Sequence, residues 1–138
     1  MVVTKKISAS TRGDGHTIDI TGDVERAVRE AGVGSGVVTL FVVGSTAGLT
    51  TIEFEEGAVS DLARLFEKLA PHDAPYQHEL RWHDDNGHSH VRAALLGPSL
   101  SIPFVAGKLA LGTWQQIVLV DFDTRPRNRE VVAQIIGE

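Results

Sequence analysis

Nine consecutive residues, Asp84-Asp85-Asn86-Gly87-His88-Ser89-His90-Val91-Arg92, concentrate carboxylate, imidazole and guanidinium groups. Such groups bind divalent metals and phosphoryl oxygens. Asn86-Gly87 is the dipeptide favoured in type I′ hairpin turns, where both central positions need φ > 0. The stretch therefore reads as a β-hairpin. On its outgoing arm His88, His90 and Arg92 alternate onto one face. With a two-residue turn, Asp85 stands opposite His88, His83 opposite His90 and Arg81 opposite Arg92, and opposed Cβ atoms lie about 4.5–5.5 Å apart. Opposed arginines are unfavourable without an anion between them, so this face calls for a metal, an anion or both. The competing reading is a solvated hairpin of polar residues.

The rest of the chain sets limits on that chemistry. At 138 residues, with 42% apolar and 22% charged residues, it fits one globular domain spanning residues 1–138 with a core that needs no disulfides. A net charge of −5 gives no basic footprint and argues against nucleic acid as a partner, so any phosphate site must be local. The absence of cysteine excludes thiolate catalysis and Cys-ligated zinc, leaving His, Asp and Glu as metal ligands. Met1-Val2-Val3-Thr4-Lys5-Lys6 lacks the apolar core of a signal peptide, and no apolar run approaches membrane length. The expectation is a cytoplasmic protein with no membrane partner.

Several elements must position the polar stretch. Val2 to Ser10 and His16 to Ile20 read as strands of an outer hairpin around a turn rich in Gly and Asp. Val24, Ala27, Val28 and Ala31 recur at helical spacing, with Thr21 or Asp23 as N-cap and Gly32 as the stop. Val37 to Val43 is a continuous apolar run, the pattern of a central strand buried on both faces. Its exit, Gly44 to Thr51, offers hydroxyls and bare backbone N–H groups that can cradle an anion, although Ser and Thr also simply cap turns. A second helix follows Glu55-Glu56, with Val59, Leu62, Ala63, Phe66 and Leu69 on one face and Pro71 as its end. Beyond Arg92, apolar segments broken by Gly97-Pro98 and Pro103 lead to a strongly apolar strand ending near Phe122. Trp114 is expected in the core, Arg125, Arg127 and Arg129 in a basic surface turn, and Val131 to Ile136 in a closing strand. Roughly nine short strands against two flanking helices predict an α+β fold whose body is a mainly antiparallel, jelly-roll-like β-sandwich.

Three segments carry a family resemblance: Gly44 to Thr50 with Glu53, Asp85 to Ser99, and Leu111 to Gln116. In these the chain resembles the YjbQ-like proteins, also called secondary thiamine-phosphate synthase-type proteins. The resemblance implies a β-sandwich homotrimer with the signature residues around a pocket, and a weak formation of thiamine phosphate from a hydroxymethylpyrimidine diphosphate and a thiazole phosphate. It implies His78, His88 and His90 as ligands of a divalent metal such as zinc, and Glu53 or Asp85 as the orienting or acid/base carboxylate. Ser45, Thr46, Arg92, Thr113 and Gln115 would hold the phosphorylated substrate. Hairpin geometry instead puts His83 beside His90, and the two alternatives stand. Many members carry a His where this chain has Gly44. A metal-assisted phosphate-ester hydrolase would use the same groups with water as nucleophile. A non-catalytic trimeric binding protein for a phosphorylated metabolite would use the same pocket.

Overall fold

The computed structural model covers all 138 residues. Two antiparallel sheets carry the fold. In the larger, β1 (Val2–Thr11), β8 (Arg127–Gly137), β3 (Gly36–Val43), β5 (Ser99–Val105) and β6 (Lys108–Leu109) lie in the order β1-β8-β3-β5-β6. In the smaller, β7 (Gln116–Asp121) lies between β2 (His16–Asp19) and β4 (Ala47–Ile52). Helices α1 (Thr21–Ala31), α2 (Glu56–Leu69), α3 (Gln77–Trp82) and α4 (Gly87–Leu96) complete the fold. The α+β class with mostly antiparallel sheets agrees with expectation. There are four helices rather than two flanking ones, and the strand order contains a five-stranded and a three-stranded sheet rather than the two four-stranded sheets of a jelly roll.

Strand alternation explains the layering. On β7, Ile117 and Leu119 enter the core between the two sheets, alongside Val38, Leu40 and Val42 of β3 and Val24 and Val28 of α1. Val118, Val120 and the following Phe122 point the other way, against Phe66 of α2 and Ala93 of α4. The strand buried on both faces is thus β7. β3 is central in its sheet but buries one face only: Phe41 and Val43 lie outside, 47% and 52% exposed. Their apolar character does not come from this chain's own core.

Three more expectations need correction. β1 and β2 do not form a hairpin, because β1 pairs with β8 and β2 with β7 in the other sheet. Trp114 is 72% exposed, in the turn before β7 rather than in the core. α1 begins at Thr21 without a side-chain N-cap; Asp19 accepts from the Thr21 N–H instead, and Gly32 closes the helix in the left-handed conformation as expected. No helix is long and apolar enough to cross a membrane.

Candidate functional site

The polar stretch is a helical corner, not a hairpin. His88 to Leu96 contains Ala, Leu and Arg, which favour helix, and Ser89, Ala93 and Leu96 recur at helical spacing on the side that packs on the small sheet. Asn86 has φ −108°, outside the left-handed range that a type I′ turn needs; Asp85 takes that conformation instead, at φ 59°. Gly87 serves close approach. A Cβ there would fall 2.4 Å from Tyr76 Cβ and 2.7 Å from Glu79 Oε2, so α3 could not pack as it does against the first turn of α4.

The N-terminus of α4 is pinned to the chain leaving β7. Asn86 Nδ2 donates to Asp123 Oδ1 at 3.3 Å, and Asn86 Oδ1 accepts from the Thr124 N–H at 3.1 Å. Ser89 Oγ donates to the Phe122 carbonyl at 2.6 Å. Beneath this anchor lies a charged network that the basic turn concealed. Arg129 is 8% exposed and donates from Nε and Nη2 to the two carboxylate oxygens of Asp121 at 2.7 and 2.8 Å. The same Nη2 reaches Thr46 Oγ1 at 2.5 Å, and Thr46 in turn donates to Asp123 at 2.9 Å. Arg127 pairs with Asp123 at 3.1 Å. The expected surface turn is therefore half interior, and Thr46 is engaged there. A matched spacing was visible: Asp121 and Asp123, at and just beyond the end of β7, and Arg127 and Arg129, at the start of β8, are each two residues apart.

Burial alone would raise the Asp123 pKa. Hydrogen bonds from the Arg125 N–H, Thr46, Asn86 and Arg127 outweigh it and lower the carboxyl from 3.8 to about 2. A depressed folded-state pKa gives stability that is complete above the unfolded value and is lost as pH falls through the folded one. The window is therefore about pH 4 down to 2, and the contribution roughly 2 kcal/mol. In urea unfolding at pH 5 and pH 2.5, Asp123→Asn should lose less stability across the interval than the wild-type protein by about that amount. Equal losses would remove Asp123 as the cause.

On α4, His88 and Arg92 lie four residues apart and share a face, whereas His90 is about 200° round the helix from His88. On the His88 side, its ring lies 4.3 Å from that of His72, centroid to centroid. His72 Nε2 is hydrogen-bonded to Asp85 Oδ2 at 2.7 Å. Arg92 donates from Nε to the Ala70 carbonyl at 2.9 Å and from Nη2 to Glu67 Oε2 at 2.6 Å. Asp14, Glu67, His72, His88, Arg92 and Phe122 enclose a cavity of about 370 Å³. A second cavity, of about 680 Å³, shares Asp14 and runs along the start of α2 past His16, Phe54, Val59 and Ala63.

The two imidazoles of the first cavity are pushed in opposite directions. Burial, then the charges of His72 and Arg92, lower the His88 pKa, which keeps that ring neutral and able to ligate at pH 7. The Asp85 hydrogen bond raises that of His72, which favours its protonated form. Opposed shifts in adjacent groups are what separates a proton donor from a neutral base or ligand.

The structure divides the expected ligand set. His88 joins His72 and Asp85, while His90 lies on the other flank of α4 with its ring 4.5 Å from His78. His78, not His83, is the residue beside His90; His83 caps α3 at φ 54° and is exposed. None of Ser45, Glu53, Thr113 and Gln115 lines the cavity of a single chain. Ser45 and Glu53 are exposed, Thr113 accepts from Gln116 through its carbonyl, and Gln115 bonds Thr51 and the Gly112 N–H. His72 and Glu67 escaped the sequence reading because a hairpin gives no reason for the end of α2 to meet it. Once His88 and Arg92 stand on a helix, their shared face needs partners, and the polar loop after Pro71 supplies them.

Comparison with known proteins agrees with this architecture throughout. The family model described as UPF0047 protein YjbQ-like matches residues 5–138. A UPF0047 protein from Archaeoglobus fulgidus is 40% identical over 119 residues, covering 86% of this chain and 90% of that protein. The Bacillus subtilis UPF0047 protein YugU is 33% identical over 139 residues, covering 99% and 100%. A crystal structure of a YbjQ-like protein of unknown function from Sulfolobus solfataricus superposes with a TM-score of 0.94 at 34% identity, covering 100% of this chain and 99% of the other. With matching sequence signatures and fold along its whole length, the chain belongs to the YjbQ-like UPF0047 family.

Proposed function

We propose that the cavity bounded by His72, His88 and Arg92 binds a phosphorylated small molecule together with a divalent metal, zinc in the first instance. The reaction is phosphate-ester or diphosphate displacement of the secondary thiamine-phosphate synthase type, carried out in the cytoplasm by a homotrimer. One observation carries the reading: ligand atoms of His72, Asp85 and His88 all lie within 4.8 Å of one another, beside a guanidinium. Two imidazoles and a carboxylate fit zinc, and three protein ligands are the number that leaves a position open for substrate. When bound, the metal would supply Lewis acidity toward phosphoryl oxygens.

The chain's own groups do the remainder. Arg92 is 12% exposed at its side chain and is braced by Glu67 and the Ala70 carbonyl, so its guanidinium faces the cavity with little orientational freedom to lose on binding phosphate. Asp85 is hydrogen-bonded to His72 and holds that ring in position for the metal. Phe122 supplies the one apolar wall of the cavity. The adjoining cavity, with its apolar Phe54, Val59 and Ala63, accommodates the organic part of the substrate. The trimer is supported by apolar surface that one chain leaves uncovered: Trp114, Trp82, Phe41 and Val43 are all at least 47% exposed. A neighbouring subunit can bring Ser45, Glu53, Thr113 or Gln115 toward the cavity, which one chain alone does not.

The test is calorimetric titration with Zn²⁺, then with inorganic diphosphate. Removing a residue that merely braces a ligand costs about 10–100-fold in metal affinity, so His88→Ala should cost more than about 100-fold. Arg92→Ala should weaken diphosphate binding by roughly 10–100-fold, the worth of a charged hydrogen bond. Because His72 titrates above its usual value, zinc affinity should start to decline above pH 6.5 as acid is added. Zinc binding unchanged in His88→Ala would remove the site, and thiamine-phosphate formation equal in wild type and Arg92→Ala would remove the reaction.

A further inference from the structure

The other flank of α4 repeats the pattern of the first. Asp84 and Asp85 are adjacent in sequence, yet their carboxylates serve different clusters. Asp85 goes to His72 and His88, and Asp84 to His78 and Glu79. On α4, His88 faces the first group and His90 the second, each ring packed at a tilt against an imidazole from outside the helix, with centroids 4.3 and 4.5 Å apart. We propose that His78, Glu79 and Asp84, with His90 alongside, form a second divalent-metal site, one that ties α3 to α4.

Three features of the cluster support this. Ligand atoms of His78, Glu79 and Asp84 lie within 4.8 Å of one another, with His78 Nδ1 3.2 Å from Asp84 Oδ1 and 3.7 Å from Glu79 Oε1. His78 Nδ1 is shielded from solvent and makes no hydrogen bond: Glu79 Oε1 is too distant, and Asp84 Oδ1 is near enough but badly aligned. A buried ring nitrogen without a partner is costly, and a metal bound between it and the two carboxylates removes that cost. Both carboxylates are also fixed by the backbone: the oxygens nearest His78, Glu79 Oε1 and Asp84 Oδ1, accept the Gly87 N–H at 2.5 Å and the Asn86 N–H at 3.2 Å. Such outer bonds orient metal-binding side chains.

The backbone adds a fourth. His83 and Asp85 flank Asp84 at φ 54° and 59°, a region costly for residues other than glycine. Their left-handed turns send successive carboxylates to opposite flanks. One nitrogen and two oxygens, with an imidazole close by, suit Zn²⁺, Mn²⁺ or Fe²⁺ better than Mg²⁺. The ion would join two residues of α3 to Asp84 of the corner that leads into α4, and its occupancy would hold the neighbouring Asp85 in place at the first cavity.

This inference does not rest on the proposed activity. The test is titration of the full-length protein with Co²⁺, followed by its visible absorption and by calorimetric stoichiometry, in wild type, His78→Gln, Asp84→Asn and His88→Ala, each checked for folding by circular dichroism. The expectation is two equivalents per chain in wild type, one in each variant, and a different absorption spectrum for the equivalent that remains in His88→Ala. A single wild-type equivalent that disappears only in His88→Ala overturns this inference and leaves the first site standing. One that disappears only in His78→Gln and Asp84→Asn supports it while removing the first. One that disappears in all three overturns the two-site arrangement, and no cobalt in wild type overturns both.

Discussion

Arg129→Ala is expected to lower stability by about 3–5 kcal/mol, the cost of leaving a buried carboxylate without its cation. Asp121 is fully buried, and its neighbour Asp123 is 1% exposed. Arg129 supplies two hydrogen bonds to Asp121, whose other partners, the Thr11 hydroxyl and the Asp123 N–H, carry no charge, whereas Asp123 keeps the Arg127 guanidinium. A loss of this size is a large share of the total stability of an ordinary domain. The loss should appear in urea unfolding as a lower midpoint with an unchanged slope. Arg129→Lys should recover only part of it, because an ammonium cannot bind both Asp121 oxygens as a fork does. A cost below about 1 kcal/mol for Arg129→Ala would mean that water reaches the aspartates and that the pair behaves as a surface one.

Gly44→His should be nearly as damaging, on the order of 3 kcal/mol, through backbone strain and displacement of Arg129. Gly44 has φ 135°, which side-chain-bearing residues rarely adopt, and a Cβ built there lies 2.6 Å from Arg129 Nη1. That guanidinium is held by Asp121 and Thr46 and is not free to swing away. The glycine is therefore matched to its buried arginine, and placing there the histidine that the family resemblance implies should not raise the proposed thiamine-phosphate-forming activity. A Gly44→His protein with the wild-type urea midpoint would show that Arg129 yields easily, and higher turnover in that protein would restore the histidine as the missing functional group.

The apolar pattern revealed the main strands but not which faces they bury. Val37 to Val43 looked doubly buried because Phe41 and Val43 are apolar, yet these two face outward, where a partner chain rather than the core would account for them. The helix Gly87–Leu96 was hidden because its buried stripe begins with Ser89, a polar residue satisfied by the Phe122 carbonyl. The Asn86-Gly87 signal was local and misplaced the turn, since neither residue takes φ > 0, and tertiary packing uses the glycine for its lack of a side chain. That His88, Asp85 and Arg92 would lie near one another was legible from their closeness in sequence. Their partners His72 and Glu67 were not, since only the fold brings the end of α2 to α4.

The placement of β8 has a consequence for biosynthesis. This strand, residues 127–137, lies between β1 and β3, which are made more than eighty residues earlier. The large sheet cannot be completed while the chain is short. For on the order of ten seconds of translation, β1 and β3 present unpaired edges and the inner face of β3 has no neighbour from β8. During that interval the nascent chain is a natural client for chaperones, and release after Asp85 and His88 are made but before Arg127 would yield a polypeptide that holds every residue of the His72, Asp85 and His88 cluster yet lacks the strand that keeps its scaffold closed.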